Sequence, residues 1–239
     1  IAPKSDADWH PLTVGQTLTE GCVVQTAQDA TVDLVLGAKI THHINPSPDK
    51  VAPAADSAIR GLTSYHAVSQ QNVIRLNPGT VLAVDKLTMG NTGVDAVSDT
   101  ELDLRQGTIF GNVKKLSAAS QYLIKVPNGI AGVRGTTFIM SASGAITVVQ
   151  GSMVLSTVGP NGQPVTVVLG PGDQYNPATG QTTQLTPQEF AAAERTAILT
   201  VTVVEGIISF GNDRTIIFVS PTHGRPPWVP PHGPPPFVP

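Results

Sequence analysis

The run Thr31-Val32-Asp33-Leu34-Val35-Leu36 puts Val32, Leu34 and Leu36 on one side of an extended chain and Thr31 and Asp33 on the other. That two-residue period is the signature of a half-buried β-strand. Glu101-Leu102-Asp103-Leu104 repeats it. Short β-prone runs recur along the chain at Leu12–Val14, Cys22–Thr26, Val73–Leu76, Thr80–Val84, Thr108–Val113, Ala145–Val149, Met153–Leu155 and Val165–Leu169. Turn residues separate them, among them Gly15, Gly21, Asn77-Pro78-Gly79, Gln106-Gly107, Gly151 and Gly170-Pro171-Gly172-Asp173. Strands of about five residues punctuated by glycine predict an all-β domain built as a sandwich, barrel or solenoid, and the spacing does not choose among these.

Four segments break this rhythm. Residues 37–72 carry Asn45-Pro46-Ser47-Pro48 and Ala52-Pro53 and read as a loop insertion. Thr186-Pro187-Gln188-Glu189 is a capping box with proline at the first helical position, so one short helix is predicted over 187–197. Too short to stand alone, it must pack on the β body. Residues 198–219 are apolar, β-forming and nearly uncharged, which requires pairing with the domain or with another subunit. The tail, 221–239, repeats Pro-Pro-aromatic-Val-Pro at Pro226–Pro230 and Pro235–Pro239. In polyproline II geometry Trp228 and Phe237 lie on one face about 28 Å apart, a stiff ligand with two aromatic anchors. The expected division is therefore 1–183 for a β domain, 184–220 for a helix with a β-rich extension, and 221–239 for the tail.

Residues 124–138, Ile-Lys-Val-Pro-Asn-Gly-Ile-Ala-Gly-Val-Arg-Gly-Thr-Thr-Phe, hold more information than any other stretch. They read as strand, tight turn and strand, with Pro127 presetting φ and Asn128 or Gly129 free to take positive φ. Gly132 and Gly135 bracket Arg134, as though backbone passes close on either side. Arg134 is expected to tie strands together through hydrogen bonds to carbonyls and a carboxylate, with anion recognition as the alternative. The stretch resembles the signature of the FecR-like domain family at Pro127, Gly129, Gly132, Val133, Arg134, Gly135, Thr136 and Phe138. With a Val-Gly-x-x-Leu-x-x-Gly opening at 14–21, the resemblance runs over roughly residues 9–175 apart from the insertion. It implies a wound, solenoid-like β fold that is extracytoplasmic and not enzymatic. Well-known members of that family are membrane-anchored regulators that hold a sigma factor inside the cell and receive a signal from an outer-membrane transporter.

Charge and chemistry narrow the picture. Only 13% of residues are charged and the net charge is −3, which gives no electrostatic hold on nucleic acid or anionic lipid. No apolar run reaches the roughly 18 residues of a membrane span. The chain opens Ile1-Ala2-Pro3, as a mature chain does once its signal peptide is removed. Cys22 is the only cysteine, so no intrachain disulfide forms, and it reads as a small core residue. The six histidines lack zinc-type spacing, and no nucleophile elbow or phosphate loop is present. No metal, cofactor, small-molecule substrate or catalytic residue is expected.

Low charge, an apolar β extension and an aromatic-bearing tail together suggest a secreted structural subunit, extracellular or at the cell surface. Such a subunit would polymerise into a filament or surface layer with itself as partner, through Trp228, Val229, Phe237 and Val238. The alternatives are an extracytoplasmic regulator ectodomain, periplasmic in placement, or an envelope-binding module.

Overall fold

The computed structural model describes residues 9–13, 15–36, 72–91, 96–197, 216–219 and 222–223. Fifteen strands form one large sheet wound about a single core, without closing into a barrel. In chain order they are β1 Thr17–Leu18, β2 Val23–Gln25, β3 Val32–Leu36, β4 Asn72–Leu76, β5 Val81–Asn91, β6 Ala96–Gln106, β7 Thr108–Asn112 and β8 Gln121–Val126. Then follow β9 Gly129–Ser141, β10 Ile146–Val158, β11 Pro164–Leu169, β12 Asp173–Asn176, β13 Gln181–Gln184, β14 Ile216–Val219 and β15 Thr222–His223. The helix, α1, spans 187–197. The insertion at 37–71, the run 198–215 and the tail from 224 onward lie outside the described residues.

β9 is the hub. Its first half pairs with β8 and its second half with β7 along one edge, while β10 runs antiparallel along the other. From β7 the sheet continues through β4 and β3, and from β8 through β6 and β5. Side chains from these strands, including Leu34, Ile74, Leu82, Leu104, Ile124, Phe138, Met140 and Leu155, meet in one fully buried cluster.

β3 departs from the half-buried expectation, because all five of its residues are buried. Asp33, the polar position of the pattern, is only 2% exposed. It lies opposite Arg75 of β4, whose Nε donates to Oδ1 at 2.6 Å and Nη2 to Oδ2 at 2.9 Å. A two-point ion pair of this kind offsets the desolvation that otherwise keeps carboxylates at the surface.

β14 inserts in parallel between β1 and β3, with Ile216 opposite Asp33 and Phe218 opposite Thr17. The end of the apolar 198–219 run thus finds its partners within its own chain. Of the run expected at Leu12–Val14, Leu12 and Thr13 are not strand and Val14 lies outside the described residues; Gln16 N donates to the Thr13 carbonyl at 3.0 Å and closes a turn before β1. The two runs predicted at 145–149 and 153–155 are one strand, β10, kinked at register shifts on either side of Gln150.

α1 forms as its cap predicts. Glu189 N donates to Thr186 Oγ1 at 3.3 Å and Thr186 N donates to Glu189 Oε2 at 2.9 Å, the reciprocal pair of a capping box. Its alanines Ala193 and Ala197 pack on Phe110, Ile139 and Val149, a small second cluster on the outer face of the sheet.

Candidate functional site

The signature folds as the sequence suggests, into the β8–β9 hairpin with Pro127-Asn128 as a two-residue turn. Two of the reasons for its glycines differ from expectation. No residue of the turn takes positive φ. Gly129 is instead a matter of space: a Cβ there would lie 2.6 Å from the Ser156 carbonyl oxygen of β10. β10 also holds the turn, since Thr157 Oγ1 donates to the Asn128 carbonyl at 2.8 Å and Val158 N at 3.1 Å. Gly132 has ordinary van der Waals room, so backbone does not press on it.

Gly135 carries the conformational demand. It sits at φ +66°, and a Cβ would meet the Lys115 Cα at 3.0 Å. Facing it, Gly151 sits at φ +83°, where a Cβ would lie 2.1 Å from the Gly135 carbonyl oxygen. The pairing steps from Gln150↔Thr137 to Ser152↔Arg134, leaving two residues on β9 against one on β10. This is a β-bulge with glycine at its left-handed position, a device that re-aims the neighbouring side chain. Thr136 within it is buried, and its Oγ1 donates to the Ser152 carbonyl at 2.5 Å. Val133 and Phe138, on either side, point into the core.

Arg134 is turned outward by this bulge. It is exposed, and among the described residues it makes no hydrogen bond or ion pair. The strand-tying role expected for it has no hydrogen bond or ion pair to carry it among the described residues. It lines an open cleft of about 550 Å³ together with Asn112, Lys114, Lys115, Gly135, Thr137 and Gln150. Three cationic groups meet there and no described carboxylate lines the cleft. Thr137 Oγ1 donates to Asn112 Oδ1 at 3.0 Å, which fixes the amide with its NH₂ left to donate. The cleft is suited to hold an anion. Arg134 was legible in the sequence as a possible anion contact; Lys114 and Lys115 were not, because only the β7–β9 pairing brings them beside it.

Charges elsewhere on the sheet are matched. Lys125 bridges Glu101 at 2.8 Å and Asp85 at 3.2 Å, Arg105 meets Asp103 at 2.7 Å, and Lys86 pairs with Asp99. The acidic neighbours hold the Lys125 and Lys86 ammonium groups above the usual lysine range, chiefly through their hydrogen bonds. Cys22 is half-buried against the core, and burial pushes its thiol up. Among the described residues no group of three or more His, Cys, Asp and Glu side chains could hold a metal ion, and no helix is long and apolar enough to cross a membrane. Trp228, Val229, Phe237 and Val238 lie outside the described residues.

Residues 62–154 match the family model described as FecR protein. The match takes in β4 through most of β10, a narrower span than the 9–175 of the sequence resemblance. Two crystal structures of a "putative anti-sigma factor" from Parabacteroides distasonis are similar to the chain, at 15% and 16% identity with TM-scores of 0.42 and 0.41. Each likeness covers 69% of this chain and 59% of that one, so the chain spans about three-fifths of the length of the solved structures it matches. No curated protein matches the chain.

The FecR match overturns the expectation of a structural protein that self-assembles into an extracellular filament with the chain itself as partner. The physical ground for the filament also weakens, since the apolar extension pairs in its own sheet through β14. What the wound sheet and its signature hairpin carry, at residues 62–154, is a FecR-like domain.

Proposed function

We propose that this chain is the extracytoplasmic ectodomain of a signalling regulator, acting by protein contact and without enzymatic activity. The observation that supports it most is the family match over 62–154, which places the FecR signature on the central hairpin. In this reading the β domain of 1–183 forms the rigid body of the sensor. The 184–220 segment braces that body through α1 and β14. The tail of 221–239 offers Trp228, Val229, Phe237 and Val238 as anchors to a partner protein, since buried aromatics tend to dominate interfaces. The signature residues Pro127, Gly129, Gly132, Val133, Gly135, Thr136 and Phe138 serve the framework. Control of a sigma factor, named for the two similar structures by their titles, is the form of regulation this reading favours.

The test is transcript profiling in the organism of origin after in-frame removal of the coding sequence for residues 72–184. A change confined to genes served by one alternative sigma factor, reversed by restoring the segment, is the expected result. An unchanged transcript profile under conditions where the protein is made would refute the proposal. Fractionation of the same cells should place the chain outside the cytoplasm.

A further inference from the structure

Among the described cations, Arg75, Lys86, Arg105 and Lys125 each sit against a carboxylate, whereas Lys114, Lys115, Arg134 and Arg195 have no ion pair with any described residue. Three of those four line one cleft. Like charges placed together with no described counter-charge repel one another. The backbone sets them there. Gly135 and Gly151 adopt left-handed conformations to form the bulge that turns Arg134 outward, and the same bulge lets the Lys115 backbone approach β9 closely. Lys114 is fixed from the other side, its N–H donating to Asn72 Oδ1 at 2.9 Å.

We infer that this cleft binds a multivalent oxyanion, a ligand carrying phosphate or several carboxylates. Arg134 supplies the planar fork that receives two oxygens at once, and Lys114 and Lys115, lining the same cleft, supply compact charges. The Asn112 amide, held by Thr137, and Gln150 add neutral donors that orient the ligand. The positive potential of all three cations acts on the same open volume. A singly charged anion would leave most of that potential unmatched. The inference stands on the cleft alone and does not depend on the regulator reading.

The experiment is titration calorimetry and thermal melting of the full chain at constant ionic strength, with pyrophosphate in one arm and tricarballylate in the other. Chloride at matched ionic strength is the control. Saturable one-to-one binding of either probe is expected, with a rise in melting temperature. The arm that binds tells phosphate from carboxylate recognition. Arg134→Gln and the Lys114→Gln/Lys115→Gln pair should each weaken binding by about tenfold or more. Both should leave the melting temperature of the ligand-free protein in place, because these side chains are outside the core. Failure of both probes to bind, or undiminished binding by the variants, overturns the inference.

Discussion

Gly111 of β7 and Phe138 of β9 are register partners, and the Phe138 ring fills the space where a side chain at 111 would begin. A Cβ there would lie 2.3 Å from Cζ. Phe138 is fully buried, so the ring has nowhere to go. The glycine is thus the socket of a core aromatic, and the last residue of the FecR signature is held by one outside it.

Gly111→Ala should therefore overpack the core and cost about 1–3 kcal/mol. For a domain of this size that is a fall of roughly 3–10 °C in melting temperature by circular dichroism. Adding Phe138→Leu should recover part of the loss, since a smaller side chain frees the site. Equal melting of Gly111→Ala and the parent would show that the ring moves aside freely.

The Asp33–Arg75 pair makes an asymmetric prediction. Removing one partner strands a buried charge, so Asp33→Ala should lose about 3–5 kcal/mol by chemical denaturation. The double variant Asp33→Leu/Arg75→Leu should be much closer to the parent, because neither charge is left behind. A double variant as unstable as the single one would mean that Arg75 contributes mainly through other contacts.

These two sites also show where sequence reading reaches and where it stops. Strands with apolar alternation or apolar runs between β2 and β11, and the capping box of α1, were legible, because local pattern decides them, but the second half of β5 and the start of β6, 85–91 and 96–100, were not. β12 and β13 were not: Asp173–Asn176 and Gln181–Gln184 carry almost no apolar residues, and β13 is exposed throughout. Full burial of β3 was hidden as well, since Asp33 looks like a surface residue until Arg75 is placed opposite it. At the cleft, Arg134 stood out in the signature, but its company did not. Lys114 and Lys115 are distant in sequence, and the bulge that aims Arg134 arises from two glycines on different strands. The filament reading failed for a related reason: the end of the apolar run, Ile216–Val219, pairs in cis, and no local pattern distinguishes that from pairing with another molecule.

Tyr122 is 1% exposed, and its hydroxyl has no hydrogen-bond partner among the described residues. Tyr122→Phe should therefore keep or raise stability, where loss of a bonded hydroxyl would cost about 1 kcal/mol. Burial pushes the phenol well above its ordinary value. A raised folded value means that its contribution is complete below the unfolded value of about 10 and is lost as pH rises beyond it. Parent and variant should thus melt alike at neutral pH, and the parent should weaken more steeply in alkali. A Tyr122→Phe protein that melts well below the parent at neutral pH would show that the hydroxyl has a partner.

The α1 cap links helix stability to acid. Glu189 accepts from the Thr186 hydroxyl at 2.7 Å and from its backbone N–H at 2.9 Å, and these bonds hold its carboxyl below the usual value. A depressed folded value gives a contribution that is present above the unfolded carboxylate range and is lost as pH falls through the folded one. Thr186→Ala removes the cap from the first turn and should cost about 1 kcal/mol. Because Ala193 and Ala197 seat the helix on Phe110 and Val149, the loss should register first as faster amide exchange in α1 and only then as a lower global melting temperature. Acid should narrow the gap between variant and parent, as the protonated Glu189 no longer holds the cap in either. A gap that stays constant from neutral pH down to the carboxylate range would mean that Glu189 takes no part in capping the helix.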